Sequence, residues 1–244
     1  MKTNNTKFSK ISTDFQVLYE DNHLLIVNKM ASEIVQGDKT GDEPLIEKYK
    51  KYIAEKYQKP GAVFLGVVHR IDRPVSGAVI FARTSKALTR LNEMIKKREI
   101  RKIYWAVVNQ KPPQTEGILR DFLWKDQQQN KSFVVDAKKE GAKEAILHYR
   151  YLASSDNYHL LEVELETGRH HQIRVQLANI GCIIKGDLKY GAPRSNKAAF
   201  IHLHSRRLEF IHPVSKDNIL IDAPVPQDAV WQYFIEIFMK KESK

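Results

Sequence analysis

Apolar residues recur along this chain at two spacings, and the spacings separate strands from helices. Leu24 to Val27 and Val63 to Val68 are apolar runs bounded by polar or turn residues, which predicts buried strands. Between them, Leu45, Ile46, Tyr49 and Ile53 keep helical spacing through a lysine-rich stretch, with Asp42 as a candidate cap and Pro44 in the first turn. Gly77 to Arg83 reads as another strand. Thr84 or Ser85 can then cap a helix whose apolar stripe is Leu88, Leu91, Met94 and Ile95. From Ile103 to Val108 the chain alternates, with Tyr104, Ala106 and Val108 on one face and Ile103, Trp105 and Val107 on the other.

In the second half, Ala145 to Ala153 and Tyr158 to Glu166 flank Ser154-Ser155-Asp156-Asn157, which predicts an antiparallel hairpin. Ile173, Leu177 and Ile180 predict a helix ending at Gly181, where a left-handed residue is wanted. Strands around Leu203 to Phe210 and Ile219 to Ile221 precede a closing helix with Val230, Phe234, Ile237 and Phe238 on its apolar face. Gln127 to Glu144, rich in Lys, Gln and Asp, reads as a hairpin tip or a mobile surface loop. Runs of strands with interspersed helices predict an α+β fold on a mixed, largely antiparallel sheet flanked by helices. A doubly wound parallel fold fits less well, and neither GxGxxG nor GxxxxGK followed by Ser or Thr occurs, which argues against a nucleotide cofactor.

Composition narrows the partners. With 244 residues, 42% of them hydrophobic, the chain can bury a proper core, and 40 Lys plus Arg against 29 Asp plus Glu leave a net charge of +11 that favours a polyanion. The opening MKTNNTKFSK lacks the apolar centre of a signal peptide, and no apolar run approaches the roughly 20 residues of a membrane span. The expectation is a cytoplasmic protein with no membrane attachment. Cys182 is the only cysteine, which excludes an intrachain disulfide and a multi-thiolate zinc site and suits a small core residue. His170 and His171 are adjacent and point apart, whereas His202 and His204 share one strand face. No spacing supplies a full zinc ligand set, so no metal site is expected.

Two clusters carry candidate chemistry. His69-Arg70-Ile71-Asp72-Arg73 follows an apolar strand and sets a carboxylate between two guanidiniums. It reads either as a strand-end salt bridge or as a carboxylate kept ionised for nucleophilic work. Thr167-Gly168-Arg169-His170-His171-Gln172-Ile173-Arg174 runs from a strand end into a helix start, where arginines and free backbone donors suit phosphate or carboxylate.

Together these segments resemble the RluA family of pseudouridine synthases. His69 to Gly77 is similar to that family's HRLDxxTSG block, Arg101 to Val108 to its K-x-Y-x-A-x-V strand, and Gly168 to Arg174 to its GRxHQIR block. Gly186-Asp187-Leu188-Lys189-Tyr190-Gly191, His202-Leu203-His204-Ser205 and His212-Pro213 follow in the family's order, so the similarity runs from about Phe15 to Pro226. Met30-Ala31 and Pro74-Val75 depart from the pattern, and His170 stands where a threonine or serine is common.

The resemblance implies the pseudouridine synthase catalytic fold over residues 15–240, as one domain or two lobes, after a polar extension of residues 1–14 and with no separate N-terminal RNA-binding domain. It further implies a monomeric, cofactor-free RNA uridine isomerase acting on ribosomal or transfer RNA. Asp72 would be the catalytic carboxylate, Tyr104 would lie against the extruded uracil, and Arg174 would pair with Asp72. Arg70 would enter the space left by the flipped base, and Arg73 and Arg169 would meet phosphates. Two other readings remain open on the residues alone: an RNA-binding protein without catalysis, and a hydrolase that releases the base.

Overall fold

A computed structural model describes residues 15–242; the polar extension of residues 1–14 lies outside the described residues. The strands are β1 (Val17–Glu20), β2 (Leu24–Lys29), β3 (Gly66–Val67), β4 (Ser76–Ala82), β5 (Arg101–Val108), β6 (Glu116–Asp126), β7 (Lys131–Val135), β8 (Lys143–Ser154), β9 (His159–Leu165), β10 (Leu203–Ile211) and β11 (Asn218–Asp222). The helices are α1 (Leu45–Lys56), α2 (Ser85–Lys96), α3 (Gln172–Asn179) and α4 (Ala229–Glu242). The strands form one 11-stranded sheet in the order β1-β2-β4-β10-β5-β9-β8-β6-β7, with β11 on β10 and β3 on β4. Among the described residues only the β4–β10 pairing is parallel, so the sheet is mixed and largely antiparallel.

Strand alternation sorts the core into two layers. Leu25 and Val27, Val79 and Phe81, and Tyr104, Ala106 and Val108 face α1 and α3. Leu24, Ile26, Ala78 and Ile80 face α2, while Trp105 and Val107 face α4 through Trp231 and Phe234. Covered on both faces, the central strands are buried along their length. At about 25 cal/mol per Å² of apolar surface, these layers are the main source of stability. Gly77 stands where β4 meets β10 with φ +115°, and a Cβ there would collide with the Ser205 backbone, so only glycine closes that junction.

Three local expectations change. Only Gly66 and Val67 of the Val63–Val68 run join the sheet, because β4 offers that edge just Phe81 and Ala82 as partners. Val63 and Leu65 still pack on the core, since an apolar run reports burial rather than ladder pairing. The cap of α1 is Pro44 itself, in extended backbone, and Asp42 turns instead to Arg73 at 2.7 Å. For Gln127–Glu144 the hairpin alternative holds, and it includes a strand. The turn after β6 is held by Asp126 Oδ1, which accepts the Gln128 and Gln129 amides at 2.8 and 3.0 Å, and Lys131–Val135 pairs back as β7. The short run Phe133-Val134-Val135, set in polar surroundings, belongs to an edge strand whose backbone is satisfied by the ladder. Elsewhere Thr84 caps α2 through Oγ1, and Gly181 follows α3 with φ +80°.

Candidate active site

Asp72 lies in the loop between β3 and β4, and that loop is tied down from three sides. The Asp72 carbonyl accepts the Val75 amide at 3.0 Å, and the Arg73 carbonyl accepts the Ser32 amide at 2.9 Å. The third tie is Lys29, at the end of β2 and fully buried. Its Nζ donates to the carbonyls of Met30, Glu33 and Arg73 at 2.9, 2.8 and 3.1 Å. Burial pushes the Lys29 amine down, to about 7, and three carbonyls match the three donors of the ammonium form. Lys29→Met should strand those carbonyls at a cost of about 2 to 4 kcal/mol and slow turnover by loosening the Asp72 loop. Urea unfolding and single-turnover rates check this, and unchanged stability would remove Lys29 as the staple.

The Asp72 side chain keeps 30% exposure while α3 brings cations beneath it. Arg174, in the first turn of α3, donates from Nη1 to Asp72 Oδ2 at 3.0 Å. Its remaining fork is bidentate to Asp187, from Nε at 2.7 Å and Nη2 at 2.8 Å, and its guanidinium lies 5.2 Å from the Tyr190 ring centroid. The Arg174 and Asp187 side chains are 6% and 1% exposed, so this is a buried ion pair with a third member at the surface of the site. Burial on its own would raise the Asp72 carboxyl. Its neighbours His171 and Arg174 outweigh it and hold the group below its usual range.

His171 sits 3.5 Å from Asp72 Oδ2 through Nε2, at φ +55° ahead of α3. Burial pushes it down to about 3, so it is neutral at neutral pH and Arg174 is the permanent charge on Asp72. Its Nδ1 meets the Tyr190 hydroxyl at 2.9 Å. No described residue donates to Asp72 Oδ1, the oxygen left free for a substrate. Tyr104 comes from the middle of β5, with Ser205 opposite it on β10. Burial pushes its phenol up to about 12, and the nearby Asp72 charge adds to the shift, so it stays protonated as a donor.

The three other arginines diverge. Arg70 is exposed, with no ion pair among the described residues. Arg169 is also exposed and spends only Nε, on the Glu144 carbonyl at 2.8 Å. Arg73 turns away to the 38–42 loop, donating to Thr40 Oγ1 and pairing with Asp42, both at 2.7 Å. Asp187, His171, Tyr190 and Lys29 were not singled out as site residues from the sequence. The Gly186–Gly191 block contained Asp187 and Tyr190, and the Gly168–Arg174 block contained His171, without giving any of them a role. His204 and His202 are buried structural groups: His204 joins Ser76 to the Ala223 carbonyl, and His202 meets Asp228. Among the described residues no cluster of three or more His, Cys, Asp or Glu could hold a metal, and no helix is long and apolar enough to cross a membrane.

A family model for RNA pseudouridylate synthase matches residues 23–179, which includes Asp72, Tyr104 and Arg174. The chain belongs to the RluA family of RNA pseudouridine synthases. Members of this family are isomerases that modify RNA. The chain is 32% identical over 213 residues to an uncharacterized RNA pseudouridine synthase of Synechocystis, covering 86% of this chain and 65% of the relative. It is 33% identical to ribosomal large subunit pseudouridine synthase D of Zymomonas mobilis, covering 87% of this chain and 70% of that protein. It therefore spans about two thirds of the length of these relatives. The fold is also that of human RNA pseudouridylate synthase domain containing 4, with a TM-score of 0.74 at 21% identity over 91% of this chain and 92% of the human one.

Proposed function

We propose that this pseudouridine synthase isomerises particular uridines of ribosomal or transfer RNA in the cytoplasm, with Asp72 as the nucleophile. The observation that carries the reading is the Asp72 carboxylate: held ionised by Arg174, with Oδ1 uncommitted in a partly open site beside the Tyr104 phenol. The substrate class rests on the net charge of +11 and on relatives whose names specify the ribosomal large subunit.

In this reaction the bond from ribose C1′ to uracil N1 breaks, the base turns, and C5 takes the place of N1 while its proton is given up. Atoms and electrons balance without a donor or oxidant. Asp72 starts the sequence, by attack on C1′ or by drawing off a sugar proton. Tyr104 stays protonated, packs against the extruded base and can supply a hydrogen bond. Arg70 is free to fill the gap in the RNA stack, and Arg169 to meet a phosphate. Arg73 joins them only if its pair with Asp42 opens.

The test is product analysis of RNA from a strain lacking the gene, incubated with purified protein and digested to nucleosides. Pseudouridine at unchanged RNA mass supports the proposal. Free uracil would make the protein a base-releasing hydrolase, and no change on that RNA would leave an RNA-binding protein. RNA affinity should also fall steeply with salt, by roughly 10- to 100-fold between about 50 and 200 mM for three or four phosphate contacts. A flat titration would remove the electrostatic account.

A further inference from the structure

Beside the Asp72 site, on the far side of His170, lies a concavity. It has a volume of about 890 Å³ and is lined by the β6–β7 turn, Gly141 and Lys143, and Gly168 to His170. Three cations border it, Lys125, Lys143 and Arg169, and among the described residues none of them is in an ion pair. Its acid, Asp126, is occupied in capping the turn. Trp124 and His170 add aromatic surface.

His170 joins this groove to the catalytic carboxylate. Contrary to the expectation that adjacent histidines point apart, its ring stacks on His171 at 3.8 Å with an interplanar angle of 19°, because His171 adopts left-handed backbone, and His171 lies 3.5 Å from Asp72. Its Nδ1 is fixed by Ser132 Oγ of β7 at 2.8 Å, and the Ser132 amide and carbonyl are both held by Tyr190, which also contacts His171. The β6–β7 hairpin is therefore built into the same hydrogen-bonded network as Asp72.

We propose that this groove holds the single-stranded RNA next to the target uridine, with Lys125, Lys143 and Arg169 on its phosphates and the His170 ring as a stacking surface for a neighbouring base. The proposal rests on the RNA-modifying reading above and names where substrate choice resides. A concavity with unpaired cations and aromatic walls suits a chain that alternates phosphates and bases, because each wall has its own counterpart. A peptide would leave the cations without partners unless it were acidic.

The experiment compares fluorescein-labelled octauridylate with uridine 5′-monophosphate as probes. A protein with Lys125→Glu and Lys143→Glu should bind the octamer about 10-fold or more weakly, because two phosphate contacts become repulsive. The monophosphate, which reaches only the Asp72 site, should be affected less than about twofold. Lys86→Glu with Lys97→Glu, in the first turn of α2 and at its C-cap across the sheet, is the charge-matched control and should change octamer binding by less than about threefold. His170→Thr should weaken the octamer about fivefold or more through lost stacking while leaving the thermal melt near wild type. If the charge reversals unfold the protein, Lys125→Gln with Lys143→Gln gives the same comparison with a smaller loss. Unchanged octamer affinity in the groove variants, or equal losses for groove and α2 variants, would overturn the proposal. Catalysis is scored separately by pseudouridine formation, so an empty groove and a protein that is not a synthase give different results.

Discussion

Asp72→Asn should lower pseudouridine formation by about four orders of magnitude or more, because it removes the one anionic oxygen the site leaves free for substrate. Asparagine keeps the shape, and Arg174 keeps its bidentate partner Asp187, so the fold should survive. RNA binding should stay within about threefold of wild type, since contacts to phosphates supply most of the affinity and removing an anion cannot weaken them. The variant also carries a pH signature. The folded Asp72 carboxyl lies below its usual range, so its stabilising effect is present above the ordinary carboxylate range and is lost as pH falls through the folded value. The stability gap between wild type and Asp72→Asn should therefore close in acid. Single-turnover assays on RNA, with urea melts at neutral and acidic pH, check both parts. Substantial turnover in a pure Asp72→Asn preparation would end the nucleophile assignment.

Arg174→Ala should cost about 3 to 5 kcal/mol of stability, because Asp187 would be left charged and buried with no counterion. It should also abolish measurable turnover, since Asp72 loses the cation that keeps it ionised and aimed. Arg174→Lys retains the charge but not the three-way fork, so it should recover more stability than activity. Asp187→Ala leaves a buried guanidinium and should resemble Arg174→Ala in its melt. The double change should cost clearly less than the sum of the two, because one removed charge no longer needs the other. Arg169→Ala is the comparison: an exposed side chain on one carbonyl, it should weaken RNA binding and leave the melt almost unchanged. Equal melting temperatures for wild type and Arg174→Ala, or strictly additive losses in the double variant, would separate the pair.

Much of the architecture is legible in the chain because it depends on local rules. The two faces of β5, the Thr84 cap, the hairpin around residues 154–157 and the stop of α3 at Gly181 follow from periodicities and single-residue preferences that act over a few positions. Motif blocks that keep their order along the chain singled out Asp72, Tyr104 and Arg174, and the fold sets Arg174 against Asp72. Periodicity had no access to who meets whom across the sheet. Whether a polar stretch is a loop or an edge strand depends on a partner supplied elsewhere, which is why Lys131–Val135 read as a hairpin tip or loop and forms β7. Asp42 looked like a cap and serves as a partner for Arg73, because a carboxylate's role is set by the nearest donor in space. The resemblance likewise paired Arg174 with Asp72 alone. Only the folded molecule sets Asp187 on the other side of the same guanidinium, three buried carbonyls around Lys29, and His171 between Asp72 and Tyr190. Ionisation states follow from burial and from distances between groups remote in sequence, and both exist only once the chain has closed on itself.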